Sequence, residues 1–144
     1  MTTDIIEDES TGDPIAAWHE IVAVPDRDRL DALLADDIVF RSPAVHTPQE
    51  GRVAASAYLR AALTVLGPTI AYRREWRAER SAVLEFDAAI EGDDGARLEA
   101  QGVDIVAWDE HGRLTEFTVM VRPRRALDAL IVRMGEALAA ERAR

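Results

Sequence analysis

Apolar residues recur at helical spacing through the first half of the chain and at every second position through most of the second half. Asp13-Pro14 reads as an N-cap followed by proline at the first helical position, and Ile15, Trp18 and Val22 then share one helical face. Pro25-Asp26 restarts a second helix with Leu30, Leu33 and Leu34 together. A short strand, Ile38 to Arg41, is closed by Ser42-Pro43, and a loop over 43–50 ends in Glu50-Gly51. A third helix over roughly 52–66 carries the stripe Leu59, Leu63, Leu66, and Gly67-Pro68 stops it. The period then switches to two. Strands are predicted over 70–80, 82–90, 98–108 and 114–122, with Gly92-Asp93-Asp94-Gly95 and Asp109-Glu110-His111-Gly112 as turns. Pro123 ends the sheet, and Leu127, Leu130, Ile131, Met134 and Leu138 mark the apolar face of a C-terminal helix, about 124–142.

Helices first and an antiparallel meander afterwards make an α+β pattern, with the helices on one face of the sheet. The chain of 144 residues fits one domain, predicted over 13–144. Residues 1–12 are polar and acidic and are expected to be disordered. That segment lacks the positive start and apolar stretch of a signal peptide, so a cytoplasmic location is expected. No apolar run reaches the roughly 18 residues of a membrane span. There is no cysteine, which removes disulfides, thiolate metal sites and a cysteine nucleophile. A net charge of −10 argues against nucleic acid as a partner. All 17 basic residues are arginine, and lysine and asparagine are absent, as a GC-rich genome would produce.

Two segments narrow the reading. LLADDIVFRSPAVHTPQEGR, residues 33–52, is a helix end, a strand and a proline-punctuated loop, and GVDIVAWDEHGRLTEFTVMVRP, residues 102–123, is two strands around a tight turn. In this order they resemble the nuclear transport factor 2-like superfamily, in particular its SnoaL-like bacterial members, over about residues 13–123. The resemblance implies a cone-shaped curved antiparallel sheet wrapped around the N-terminal helices, here with an added C-terminal helix. It also implies one deep pocket. In ketosteroid isomerases of this superfamily, a base aspartate precedes the loop proline, where this chain has Ser42; a helical tyrosine falls at Trp18, and a protonated aspartic acid at Asp104. The Asp-Arg-Asp constellation of limonene epoxide hydrolases falls on Asp104, Gly102 and Val119. The acid–base carboxylate of SnoaL-type polyketide cyclases falls near Val119. Each pattern keeps one or none of its chemical groups, and a lone serine is too weak an acid to replace a carboxylate base.

The pocket expected from this resemblance is lined by Trp18, Phe40, Ser42, Tyr58, Phe117 and Val119. Asp104 shares a strand face with Leu98, Ala100, Gly102, Val106 and Trp108, so alternation points it inward. It is either a pocket carboxyl with a raised pKa or half of an ion pair with Arg74, which alternation places beside Tyr72 and Trp76. His46 is the histidine of the proline-flanked loop near the expected mouth, an acid or base candidate at neutral pH beside its plainer reading as a solvated loop residue. Neither HxH nor HExxH spacing occurs, so no metal is expected. Walker, GxGxxG and G-x-S-x-G motifs are missing as well, and no cofactor is expected. Three functions stand open. One is binding of a small apolar or mixed-polarity organic ligand, and this, combined with homodimerisation, is the preferred one. A second is an isomerase, cyclase or dehydratase using Asp104 with His46. The third is a dimeric assembly module, because Val103, Ile105 and Ala107, with Thr118 and Met120 beside them, leave the outer sheet face apolar.

Overall fold

The computed structural model describes residues 12–143. The acidic segment expected to be disordered therefore lies, apart from Gly12, outside the described residues. Helix α1 spans Pro14–Ala23, α2 Arg27–Leu33, α3 Arg52–Leu66 and α4 Arg124–Arg142. The strands are β1 Leu34–Arg41, β2 Gln49–Glu50, β3 Ala71–Arg77, β4 Ser81–Glu91, β5 Arg97–Trp108 and β6 Leu114–Arg122. The Asp13 carboxylate caps α1 by accepting from the Ile15 N–H at 3.1 Å, and Asp26 caps α2 through the Arg29 N–H at 3.0 Å. Gly51 opens α3 at φ +94°, a backbone conformation that favours glycine.

Six strands form one curved sheet in the order β2-β1-β6-β5-β4-β3. The sequence led to an antiparallel sheet, and the meander β3 to β6 is antiparallel throughout. The seam between β1 and β6 is parallel, Phe40 beside Phe117, so the sheet is mixed. Leu34, placed on a helix by its spacing, instead opens β1 and pairs with Leu114. β2 adds a two-residue pairing inside the predicted loop.

The inner sheet face packs on α1 and α3. Ile15, Trp18 and Ile21 from α1, Leu59 and Leu66 from α3, and Leu84, Phe86, Val106 and Phe117 from the sheet form one core. Phe40, Phe86 and Phe117 are completely buried, each contributing about 3–5 kcal/mol relative to alanine. α4 buries Ala126, Leu130 and Met134, spaced by four, against α3 and the adjacent strand ends. Ile131, expected on that face, is 40% exposed because one residue turns it about 100° from Leu130. The far end of α4 is tied down by Glu141, which accepts from Arg60 Nε at 2.8 Å and from Arg27 Nη2 at 3.4 Å. No helix among the described residues is long and apolar enough to cross a membrane.

β3 contains one residue more than its pairing requires. Tyr72 lies opposite Phe86 and Glu75 opposite Leu84, so Arg73 and Arg74 together face the single residue Glu85. This bulge reverses the alternation beyond it. Tyr72 points inward, whereas Arg74 and Trp76 stand on the outer face. Arg74 binds Glu85 with two hydrogen bonds, 2.7 and 2.9 Å, and lies over the Trp76 ring at 5.1 Å. Arg73 pairs with Asp87 at 2.8 Å. The Arg74–Asp104 ion pair that regular alternation allowed is thus absent, and Trp76 is 50% exposed.

Candidate functional site

Asp104 is the buried carboxylate of the inner face, 4% exposed. Leu84 and Val119 are its cross-strand neighbours, and both are apolar. Its polar partner is the Tyr72 hydroxyl, which donates to Oδ2 at 2.6 Å. The same hydroxyl accepts from Trp18 Nε1 at 2.9 Å. Trp18, Tyr72 and Asp104 therefore form a directed chain of donors ending on the carboxyl, contributed by α1, β3 and β5. Burial pushes the Asp104 pKa up to about 7, against the opposing effect of the Tyr72 bond. Burial, and then the charge of Asp104, pushes the Tyr72 phenol far above its ordinary value, so it keeps its proton.

The ring contacts hold this arrangement in place. Trp18 meets Phe117 edge-on at 4.9 Å, and Tyr72 meets Phe86 at 5.9 Å. His19, next to Trp18 on α1, puts its ring 4.8 Å from Tyr72 and its Nε2 3.4 Å from Glu75. Arg77 joins Glu75 to Asp13, so a ladder of charges closes the seam between α1 and the edge strand β3. Arg77 holds both Asp13 and Glu75 below the usual carboxylate range.

Asp104, Tyr72, Trp18, Phe117 and Val119 share one cavity with apolar residues of α1 and α3. Its volume is about 20 Å³, little more than the space of one water molecule. Val22, Ala62, Leu63 and Ile70 line it and are half-buried. A second concavity, an open groove of about 470 Å³, runs between the 43–48 loop, β6 and Leu127 of α4. Ser42 and His46 line the groove, and neither lines the cavity. Ser42 Oγ is engaged as acceptor of the Ala44 N–H at 2.9 Å. Phe40 and Tyr58 line neither space; their rings pack together at 5.8 Å, with Phe40 wholly in the core. The residues expected to form one pocket are thus divided between a cavity, a groove and the core.

Tyr72 is the member of the site that the sequence did not single out. The resemblance placed a hydroxyl donor on the first helix, at Trp18. Here the hydroxyl comes from β3 and the helix supplies an N–H to it. The available signal was Tyr72 itself, one of two tyrosines in the chain, on the strand face already linked to Asp104.

Comparison with known proteins agrees with this architecture. Residues 15–117 match the model of the SnoaL-like domain. A steroid delta-isomerase from Pseudomonas aeruginosa is 39% identical, with 91% of this chain and 93% of that chain covered and a TM-score of 0.80. An uncharacterized protein with a cystatin-like fold from Silicibacter pomeroyi DSS-3 is 28% identical, with 95% and 93% covered and a TM-score of 0.80. Rv0760c from Mycobacterium tuberculosis, in complex with estradiol-17beta-hemisuccinate, is 18% identical, with 78% and 100% covered and a TM-score of 0.62. No curated protein matches the sequence.

Proposed function

The chain belongs to the SnoaL-like domain family, and from that premise we propose that it binds a small organic molecule, with Asp104 as the polar anchor of an otherwise apolar site. The observation carrying this reading is the Trp18–Tyr72–Asp104 chain, which aims a carboxyl of near-neutral pKa into an apolar cavity. A protonated Asp104 donates a hydrogen bond to a carbonyl or ether oxygen; ionised, it accepts one from a hydroxyl. The preferred ligand has one such group at the end of an apolar body. The cavity, about 20 Å³, admits no such body, only a polar end group.

An enzyme reading comes second, favoured by the 39% identity to a protein named as a steroid delta-isomerase. In it, Asp104 with Tyr72 polarises a carbonyl, and His46, reaching in from the groove, is the second acid or base. The position before the loop proline, Ser42, offers no carboxylate base, which is why binding is placed first.

Native mass spectrometry of the purified protein separates these readings. A ligand adduct on the wild-type chain, lost in Asp104→Asn, is the expected result, with no turnover of a Δ5-3-ketosteroid. Bare protein in both samples would remove the binding reading. Steroid turnover abolished by Asp104→Asn would install the enzyme in its place.

The outer sheet face supports assembly into a homodimer. Trp76, Val83, Ile105 and Thr118 lie side by side across four strands, with Val103 and Met120 in the next row. Met120 is 55% exposed on this face. A stable interface of this kind buries on the order of 1,200 Å² or more in total. Sedimentation at micromolar concentration should give twice the 15.9 kDa chain mass, and Ile105→Asp should return it to the mass of one chain. A wild-type protein of 15.9 kDa alone would remove the dimer.

A further inference from the structure

Val119 lines both the cavity and the groove, and it is the residue their linings have in common. It sits directly beside Asp104 in the β5–β6 register. The last β1–β6 pair is Arg41 with Thr118, and the residues that follow, Ser42 and Val119, both line the groove. Val119 and Asp104 thus lie in one row across the inner face. The groove lies at one end of that row and the cavity at the other. β6 beyond Thr118 pairs only with β5 among the described residues, so the groove runs along a strand flank left open by β1.

We propose that the groove and the cavity are two halves of a single cleft, and that the Val119 side chain is the partition that sets which ligands reach Asp104. The inference rests on the reading of Asp104 as a ligand anchor. The cavity alone, about 20 Å³, holds no organic ligand, whereas the groove, about 470 Å³, falls within the ordinary range of small-molecule sites. The groove wall is mainly apolar, with Val45, Pro48, Val121 and Leu127. The ligand class that fits the joined cleft is a flat apolar molecule with a hydroxyl or carbonyl at its leading end. That end passes Val119 to Asp104 and Tyr72 while the body stays in the groove. Valine is a narrow barrier: branching at Cβ restricts its χ1 rotation, so the passage is set by its size.

2-Naphthol, a flat apolar body with one hydroxyl, is the probe. Its affinity for the full chain is measured by fluorescence titration in the wild type, Val119→Ala, Asp104→Asn and the double variant. Val132→Ala serves as the control, because Val132 stands exposed on α4 and lines neither the groove nor the cavity. Val119→Ala is expected to bind about tenfold more tightly than the wild type, with the gain lost in the double variant and absent in the control. A gain that survives in the double variant overturns the proposal, because the probe then rests in the groove. No gain in Val119→Ala, with wild-type binding still weakened by Asp104→Asn, overturns the partition and leaves the anchor standing. No dependence on either residue overturns both.

A second measurement covers the case in which Val119→Ala fails to fold. The chain has no cysteine, so Val119→Cys places a unique thiol of nearly the same size. Iodoacetamide is expected to alkylate it from the groove, and saturating 2-naphthol to slow that reaction. Equal rates with and without the probe overturn the proposal.

Discussion

Between about pH 4 and pH 8, Asp104→Asn should become more stable relative to the wild type by roughly 4 kcal/mol. The folded wild-type chain holds the Asp104 proton until about pH 7, whereas the unfolded chain releases it near the ordinary 3.8. Over that interval the folded state binds more protons than the unfolded one, so Asp104 makes wild-type stability fall as pH rises. Below the interval both states are protonated and the contribution vanishes; above it both are ionised and the loss is complete. Asparagine does not titrate, and its side-chain carbonyl still accepts from Tyr72. Asp13, Glu75, Glu85 and Asp109 have depressed pKa values and act with the opposite sign, losing stability as pH falls. Those groups are common to both chains, so the difference between them isolates Asp104. Urea unfolding of the two proteins across this range is the measurement. A difference that stays constant with pH would mean that Asp104 is ionised throughout and is not the neutral-pH acid described above.

Gly102→Ala should cost about 3 kcal/mol, lowering the melting temperature by roughly 10 °C. A Cβ at this position would lie 2.4 Å from the Met120 carbonyl oxygen and 2.5 Å from Phe86 Cζ. The first obstacle is strand backbone and the second is the ring of a completely buried side chain, so neither gives way easily. Phe86→Leu should recover part of the loss in the double variant by withdrawing the ring. A Gly102→Ala protein as stable as the wild type would show that β5 and β6 separate more freely than their register implies. The same packing excludes an Asp-Arg-Asp constellation here: the arginine it needs at 102 would have to occupy the volume of Phe86.

Hydrophobic period carried most of the fold. The helices beginning at Pro14 and Arg52 and the strands β4 to β6 stand where spacing puts them, because each buries one face, whereas β3 is half-buried at Ala71 and Tyr72 and exposed from Arg73 to Arg77. The parallel seam of β1 on β6 was not legible, since it joins residues such as Phe40 and Phe117 through contacts that no local pattern encodes. The inward direction of Asp104 follows from parity with Gly102 and Val106 in an unbroken stretch of β5. Its partner does not. The stretch Tyr72-Arg73-Arg74-Glu75 contains neither glycine nor proline to mark a bulge, and counting by two through it sends Arg74 and Trp76 to the wrong face. The division into cavity and groove was equally hidden. It depends on the size of one side chain, Val119, relative to a gap that four strands and three helices define together.

The spare residue of β3 also changes what a gap in the chain means at different places. In a regular strand, losing one residue sends everything beyond it to the opposite side. Loss of Arg73 or Arg74 would only straighten β3: Tyr72 would still point at Asp104 and Trp76 would still face out, with one surface ion pair forfeited. A single-residue loss in β5 ahead of Asp104 has no such slack to absorb it, and would turn the carboxyl out of the protein. Homologues one residue shorter in β3 can therefore share this site, and aligning them without a gap at 73–74 would miss that they do.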